Sequence, residues 1–417
     1  MDIQPLSESL QGRASKLPDP PCLKRKRQQI NSDRCADWCL LSIFELLCMN
    51  IHGSFCFYDQ LLFKVIKRSR KAGINIKTNN RAYLKNRFLF FLLAIMLIIL
   101  IGVSLSCGRY HVPIAQMVRI LLSNIIKLEE TWTESMYNVV MVIRLPRVVA
   151  AALVGAALAL SGTSYQSVFH NPLVSPDLLG VSSGAGVGAS IAILLHASSW
   201  VIQAAAFIVG IIAVSFAICI ARLLRNQTNL ILVLSGVIVS GFMSAMQGML
   251  KYMADTDTEL PSIVYWLMGS FSAVKWSSIA IPFFIMIIAG TVLLLFRWRI
   301  NLLSLSDAET RSLGVNVSKL RGTAIICSTL LTACAVCLGG TISWIGLIIP
   351  HLSRLLVGED NQSLMPVSAL LGASFLLLVD TFARNVSATE IPISVLTGLI
   401  STPIFVIILL KKRTVVK

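Results

Sequence analysis

The chain has 417 residues, of which 55% are hydrophobic and 13% charged, with a mean hydropathy of +0.77. Globular domains carry roughly 25% charged residues, so these values exclude an ordinary soluble domain and predict a polytopic membrane protein. The net charge of +16 is uneven: residues 1–87 hold 16 Lys and Arg against 7 Asp and Glu, and so supply +9 of it. A basic segment ahead of a first spanning helix reads as a cytoplasmic topology signal. No basic motif interleaved with aromatics points to nucleic acid.

From the N-terminus, residues 1–34 are too polar and too long to be a signal peptide. The stretch 37–49, "DWCLLSIFELLCM", is at most a short amphipathic helix. Five of the ten cysteines (Cys22, Cys35, Cys39, Cys48, Cys56) fall in this region without a CxxC pair, which argues against structural zinc. The extension 1–87 is expected to be cytoplasmic and poorly ordered. Ten apolar stretches follow, at about 88–107, 146–165, 178–196, 199–221, 229–251, 277–297, 322–339, 342–357, 366–384 and 393–410, each read as a membrane span. The second is dense in small residues from Ala150 to Gly162, which lets neighbouring backbones approach closely. Lys and Arg concentrate in the loops that share a side with the extension, so both termini are placed in the cytoplasm. "ALALSGT" (157–163) and "AVCLGGT" (335–341) repeat faintly, five spans apart and in opposite orientation, as in inverted-repeat transporters.

Chemistry-bearing residues are few. There is no Walker A sequence, HExxH or GxSxG, and the CxxC of Cys334 and Cys337 sits in an apolar helix, where both serve as small packing residues. Neither a metal site nor a catalytic residue is expected. The chief intramembrane acid is Asp380, with Arg384 one turn later; an i,i+4 ion pair is the expected arrangement, and a proton relay for an ion-coupled secondary transporter is the competing one. Met243, Met246, Met249 and Met253, with Gln247 nearby, form a polarizable stripe. It reads first as helix packing and second as the lining of a path for bulky cargo. Pro350, followed by His351, interrupts a span and permits a bend. Between two apolar runs lies a polar island, residues 298–321. Within it "LSLSDAETRSLGV" (303–315) keeps an apolar thread through Leu305, Leu313 and Val315 among Asp307, Glu309 and Arg311. A linker needs neither that length nor that thread.

Three stretches resemble one family. "RLPRVVAAALVGAALALSGTSYQSVFHNPLVSPDLLGVSSGAGVGAS" (144–190) is similar to the signature of FecCD-type permeases, the membrane subunits of ABC importers for iron–siderophores, haem and cobalamin. "GTISWIGLIIPHLSRLLVGED" (340–360) resembles the second signature and "EIPISVLTGLISTPIFVIIL" (390–409) the last helix, with Trp344, Ser394 and Ser401 as departures. The resemblance covers residues 88–413 and implies an all-α, ten-helix permease of the type II importer fold that catalyses no bond chemistry. It implies ATP and Mg bound by two separate ATPase subunits, a second permease subunit and a periplasmic or lipoprotein substrate-binding protein. It further implies that the island, with Leu305, Asp307, Glu309, Arg311, Leu313 and Gly314, docks into the ATPase, and that Arg144, Arg147 and Arg384 face acidic groups of the binding protein. Gly346, Pro350 and His351 would form a hinge or gate. An iron(III)–siderophore is the expected cargo and the cytoplasmic (inner) membrane the expected location.

Overall fold

The structure, a computed structural model, describes residues 80–415 apart from 125, 127, 128, 130, 225–228, 306 and 388. The stretch 37–49, the five early cysteines and nearly all of the basic extension lie outside the described residues. The helices are α1 (Asn80–Ser106), α2 (Ile114–Ser123), α3 (Glu134–Phe169), α4 (Val181–Leu194), α5 (Ser199–Leu223), α6 (Asn229–Met253), α7 (Glu259–Met268), α8 (Trp276–Leu302), α9 (Asp307–Ser312), α10 (Val317–Gly339), α11 (Ile345–Val357), α12 (Asn361–Val386) and α13 (Ile393–Val415).

All ten expected apolar stretches are helical. Among the described residues, seven of these helices (α1, α3, α5, α6, α8, α10, α12) are long and apolar enough to cross a bilayer. α4 and α11 have 14 and 13 residues, reaching roughly 20 Å at 1.5 Å per residue against a hydrocarbon core of about 30 Å. They are half-helices. Each is preceded by irregular backbone: a 3-10 turn at Pro176–Leu179 before α4, and Trp344 in left-handed conformation (φ 74°) before α11. Such breaks are tolerated at membrane depth where protein surrounds them. α2, α7 and the first third of α3 were not expected. α3 runs on through Pro146 because a π-helical turn, Asn138–Arg144, precedes it. The wider turn accommodates the proline's missing N–H, which sequence rules treat as a helix boundary.

α3 is the centre of the bundle, with nineteen buried residues between Leu145 and Phe169. Its small residues explain why. A Cβ at Gly155 would lie 2.2 Å from the Gly372 carbonyl oxygen of α12, and one at Gly372 would lie 2.3 Å from that of Gly155. Two helices meet there backbone to backbone. About two turns further, a Cβ at Gly162 would lie 1.9 Å from the Gly346 carbonyl oxygen of α11. Against α10, the Ser161 hydroxyl meets Thr332 at 2.8 Å and Tyr165 meets Thr329 at 2.8 Å, so hydroxyls bridge helices where water is absent. Cys334 and Cys337 are buried in α10.

Candidate functional site

Polar side chains gather at the two ends of this bundle. At one end, α8 finishes at Leu302 and Leu303 turns into the core, 2% exposed. α9 is held back against α8 by Thr310, which is buried and donates to the Leu302 carbonyl at 2.7 Å. Gly314 takes φ +77°, a left-handed turn that glycine adopts without strain. Asn316 then caps α10 by accepting from the Lys319 N–H at 3.0 Å. The apolar thread read from sequence is therefore divided. Leu303 and Val315 pack inward, while Leu305 and Leu313 are 41% and 59% exposed beside the exposed Glu309 and Arg311. Two large apolar side chains thus stand outside the bundle at its polar end.

At the opposite end the three arginines expected to form an outward rim are 5–7% exposed. Arg147 donates from Nε and Nη2 to Asp380 at 2.8–3.1 Å and from Nη1 to Glu390 at 2.8 Å. Arg144 donates to the backbone carbonyls of Leu105, Ser106 and Tyr110, the first at 2.7 Å. Arg384 bonds the Ser104 carbonyl and hydroxyl and approaches Asp380 at 3.7 Å. The outward-facing arrangement that the family resemblance implies is not what this chain shows. These guanidinium groups turn inward because a buried carboxylate and the free carbonyls of the α1 C-terminus need donors. Helical spacing named Arg384 as the partner of Asp380; the dominant partner is Arg147, from another helix.

The remaining candidates lie between the ends. Gly346 is wedged against Pro176, Pro350 is buried within α11, and the His351 ring packs 6.2 Å from that of Phe405 on α13. Met243 is 6% exposed and packs with Val187, Ala213 and Ala217, joined by the partly buried Met246. Gln247 donates to the Ser190 hydroxyl at 2.6 Å. These three face α4 and α5 within the chain, whereas Met249 and Met253 of the same stripe are exposed. The exposed face of α6 is the opposite one, where Gly241, Ser244, Ala245 and Gly248 recur at helical spacing. Sequence reading also passed over Gln166, Asn301, Asp360 and Asn361, which tie helix ends together near α9. An Asp–Asn pair opening a helix was their only sequence signal.

An all-helical bundle with half-helices, a polar end displaying a short helix flanked by the exposed Leu305 and Leu313, and no catalytic constellation among the described residues defines a transport permease. The FecCD transport family matches residues 96–411, and the chain belongs to it. It is similar to the molybdate import system permease protein MolB of Haemophilus influenzae, 41% identical over 78% of this chain and 96% of that protein. A Helicobacter pylori protein named as an iron chelatin transport system permease is 40% identical over 78% and 96%. The hemin transport system permease HmuU of Yersinia pestis is 37% identical over 67% and 85%. Among solved structures, one described as an inward-facing conformation of a metal-chelate type ABC transporter matches with TM-score 0.70 and 39% identity, covering 78% of this chain and 99% of that one. The protein is thus a multi-pass permease of an ABC importer. It is not itself an enzyme, and nucleotide is bound by a separate ATPase.

Proposed function

We propose that the chain forms, with a second copy or a sister permease, the membrane pathway of an importer for an iron(III)–siderophore or similar bulky metal chelate. Two ATPase subunits dock at the α9 end and a substrate-binding protein at the Arg147 end, with both termini in the cytoplasm. The observation that carries this reading is the exposure of Leu305 and Leu313 on a folded segment that Thr310 anchors to the end of α8. Exposed apolar anchors within a charged rim have the composition of a docking surface. Asp380 is engaged by Arg147 and Arg384, which favours coupling to ATP over a proton relay.

The iron-chelate assignment draws on the relatives named for iron chelatin and hemin and on α6, which carries no charged residue from Leu230 to Leu250. The molybdate-named relative supports an oxyanion as the second reading. Reconstituting the permease with its ATPase and binding protein, then offering radiolabelled ferric chelate and molybdate in parallel, decides between them. ATP-dependent accumulation of molybdate alone would overturn the iron assignment. For coupling, Leu313→Asp places a carboxylate in the apolar contact at a cost of several kcal/mol. The variant inserts normally but loses co-purification with the ATPase. Unchanged association would show that the segment is only a surface loop.

A further inference from the structure

We propose that Asn301, at the end of α8, is a positioning residue that fastens the ATPase-facing segment to the paired helices α3 and α12, so that these two move with it. The inference rests on the reading of the α9 segment as the ATPase contact.

α9 has six residues, and isolated helices below about 12–15 residues are marginal. Its position is therefore set by its supports. Thr310 binds it to the last turn of α8, so whatever holds that turn also holds α9. Asn301 does this with both ends of its amide. Nδ2 donates to Asp360 Oδ1 at 2.6 Å, and Oδ1 accepts from the Asn361 backbone N–H at 2.8 Å. The same Asp360 oxygen accepts from the Gln362 N–H at 3.1 Å as N-cap of α12. A carboxylate at a helix N-terminus is favoured there, so its orientation is fixed and Asn301 reads a defined partner.

α3 joins from the other side. Ser167, in its last turn, donates to Asn361 Oδ1 at 3.0 Å. His170, the left-handed cap of α3, bonds through Nε2 to the Leu303 carbonyl, which requires that nitrogen to carry the proton. The end of α8 is thus held by the first residues of α12 and the last residues of α3. Those two helices cannot slide past each other. Their backbones interlock at Gly155 and Gly372, and Arg147 and Asp380 bind them again at the far end. From Asn361 to Asp380 is roughly 28 Å at 1.5 Å per residue. A displacement of α9 therefore reaches the Arg147 end as movement of a rigid pair, a physically continuous route for coupling.

The Asn301 contacts lie near the surface, where single hydrogen bonds add little net stability, so substitutions there alter registration without unfolding the bundle. The experiment uses the complete transporter in liposomes, reading uptake per ATP hydrolysed. Asn301→Leu keeps the side-chain size but loses both bonds, and Asn301→Asp sets a second carboxylate against Asp360. Each lowers uptake per ATP about five- to tenfold, the usual scale of coupling between sites, with ATPase association retained. Combining Asn301→Asp with Asp360→Asn restores one donor and one acceptor and recovers most of the loss. Uptake per ATP at the wild-type level in both single variants would overturn the proposal, as would loss without rescue by the exchange. If Asn301→Leu fails to insert, the Asn301→Asp series decides alone. Leu313→Asp in the same assay keeps the two readings apart. If that variant retains ATPase association, the docking reading fails; if it loses association while the Asn301 variants behave as wild type, only the fastening inference fails.

Discussion

Arg147 meets Asp380 through two of its nitrogens and still has Nη1 available for Glu390. Removing one partner of a buried pair strands the other charge, and this costs about 3–5 kcal/mol. Asp380→Asn is therefore expected to lower the thermal midpoint of the detergent-purified protein substantially. Glu390→Gln, at a side chain 28% exposed, should lower it by less. Equal midpoints for Asp380→Asn and wild type would show that the pair adds no stability. Asp380 and Arg384 were legible in the sequence because i,i+4 spacing is local. The dominant bond spans 233 residues, and only the α3–α12 contact brings its ends together. The three arginines share one end of the bundle, but sequence carries no record of which way a guanidinium turns.

Small residues decide how closely the helices meet, and this was the most legible feature of the second apolar stretch. Which glycine meets which was not legible, since the pairing depends on the crossing of separate helices. Gly162→Ala would place a Cβ 1.9 Å from the Gly346 carbonyl oxygen. Backbone would have to move, and overpacking of this kind costs typically 1–3 kcal/mol. Gly322 on α10 has nothing within 4 Å of the corresponding position. Gly322→Ala should be neutral or stabilising by up to about 1 kcal/mol. Thermal midpoints of the two alanine variants test the distinction, and a Gly162→Ala protein as stable as wild type would contradict the close contact. The half-helices α4 and α11 show a second limit of sequence reading. Apolar length predicted full spans at both places, but the starts depend on a 3-10 turn and on the left-handed Trp344.

For the whole molecule, hydropathy and charge placement revealed an all-helical membrane protein, and the three motif stretches its family. The face of α6 used for packing was less accessible. Met243, Met246 and Gln247 turn toward α4 and α5, leaving Gly241, Ser244, Ala245 and Gly248 on the exposed side. A helix facing lipid alone gains nothing from glycine there, since each costs about 1 kcal/mol of helix propensity relative to alanine. Cβ positions at Gly241 and Gly248 meet nothing within the chain, so on the proposed pairing of two permeases this face, with the exposed Val237, Ile238, Phe242 and Met249 beside it, would line the path between them. Ser244→Cys in a cysteine-free background should react with a charged, membrane-impermeant thiol reagent in the assembled transporter. The reaction rate should change when ATP closes the ATPase pair. Ile288→Cys, on the 65%-exposed outer face of α8, should remain unlabelled as the lipid-facing control. If Ser244→Cys is as unreactive as that control in every nucleotide state, the stripe faces lipid or a dry subunit contact and the path lies elsewhere.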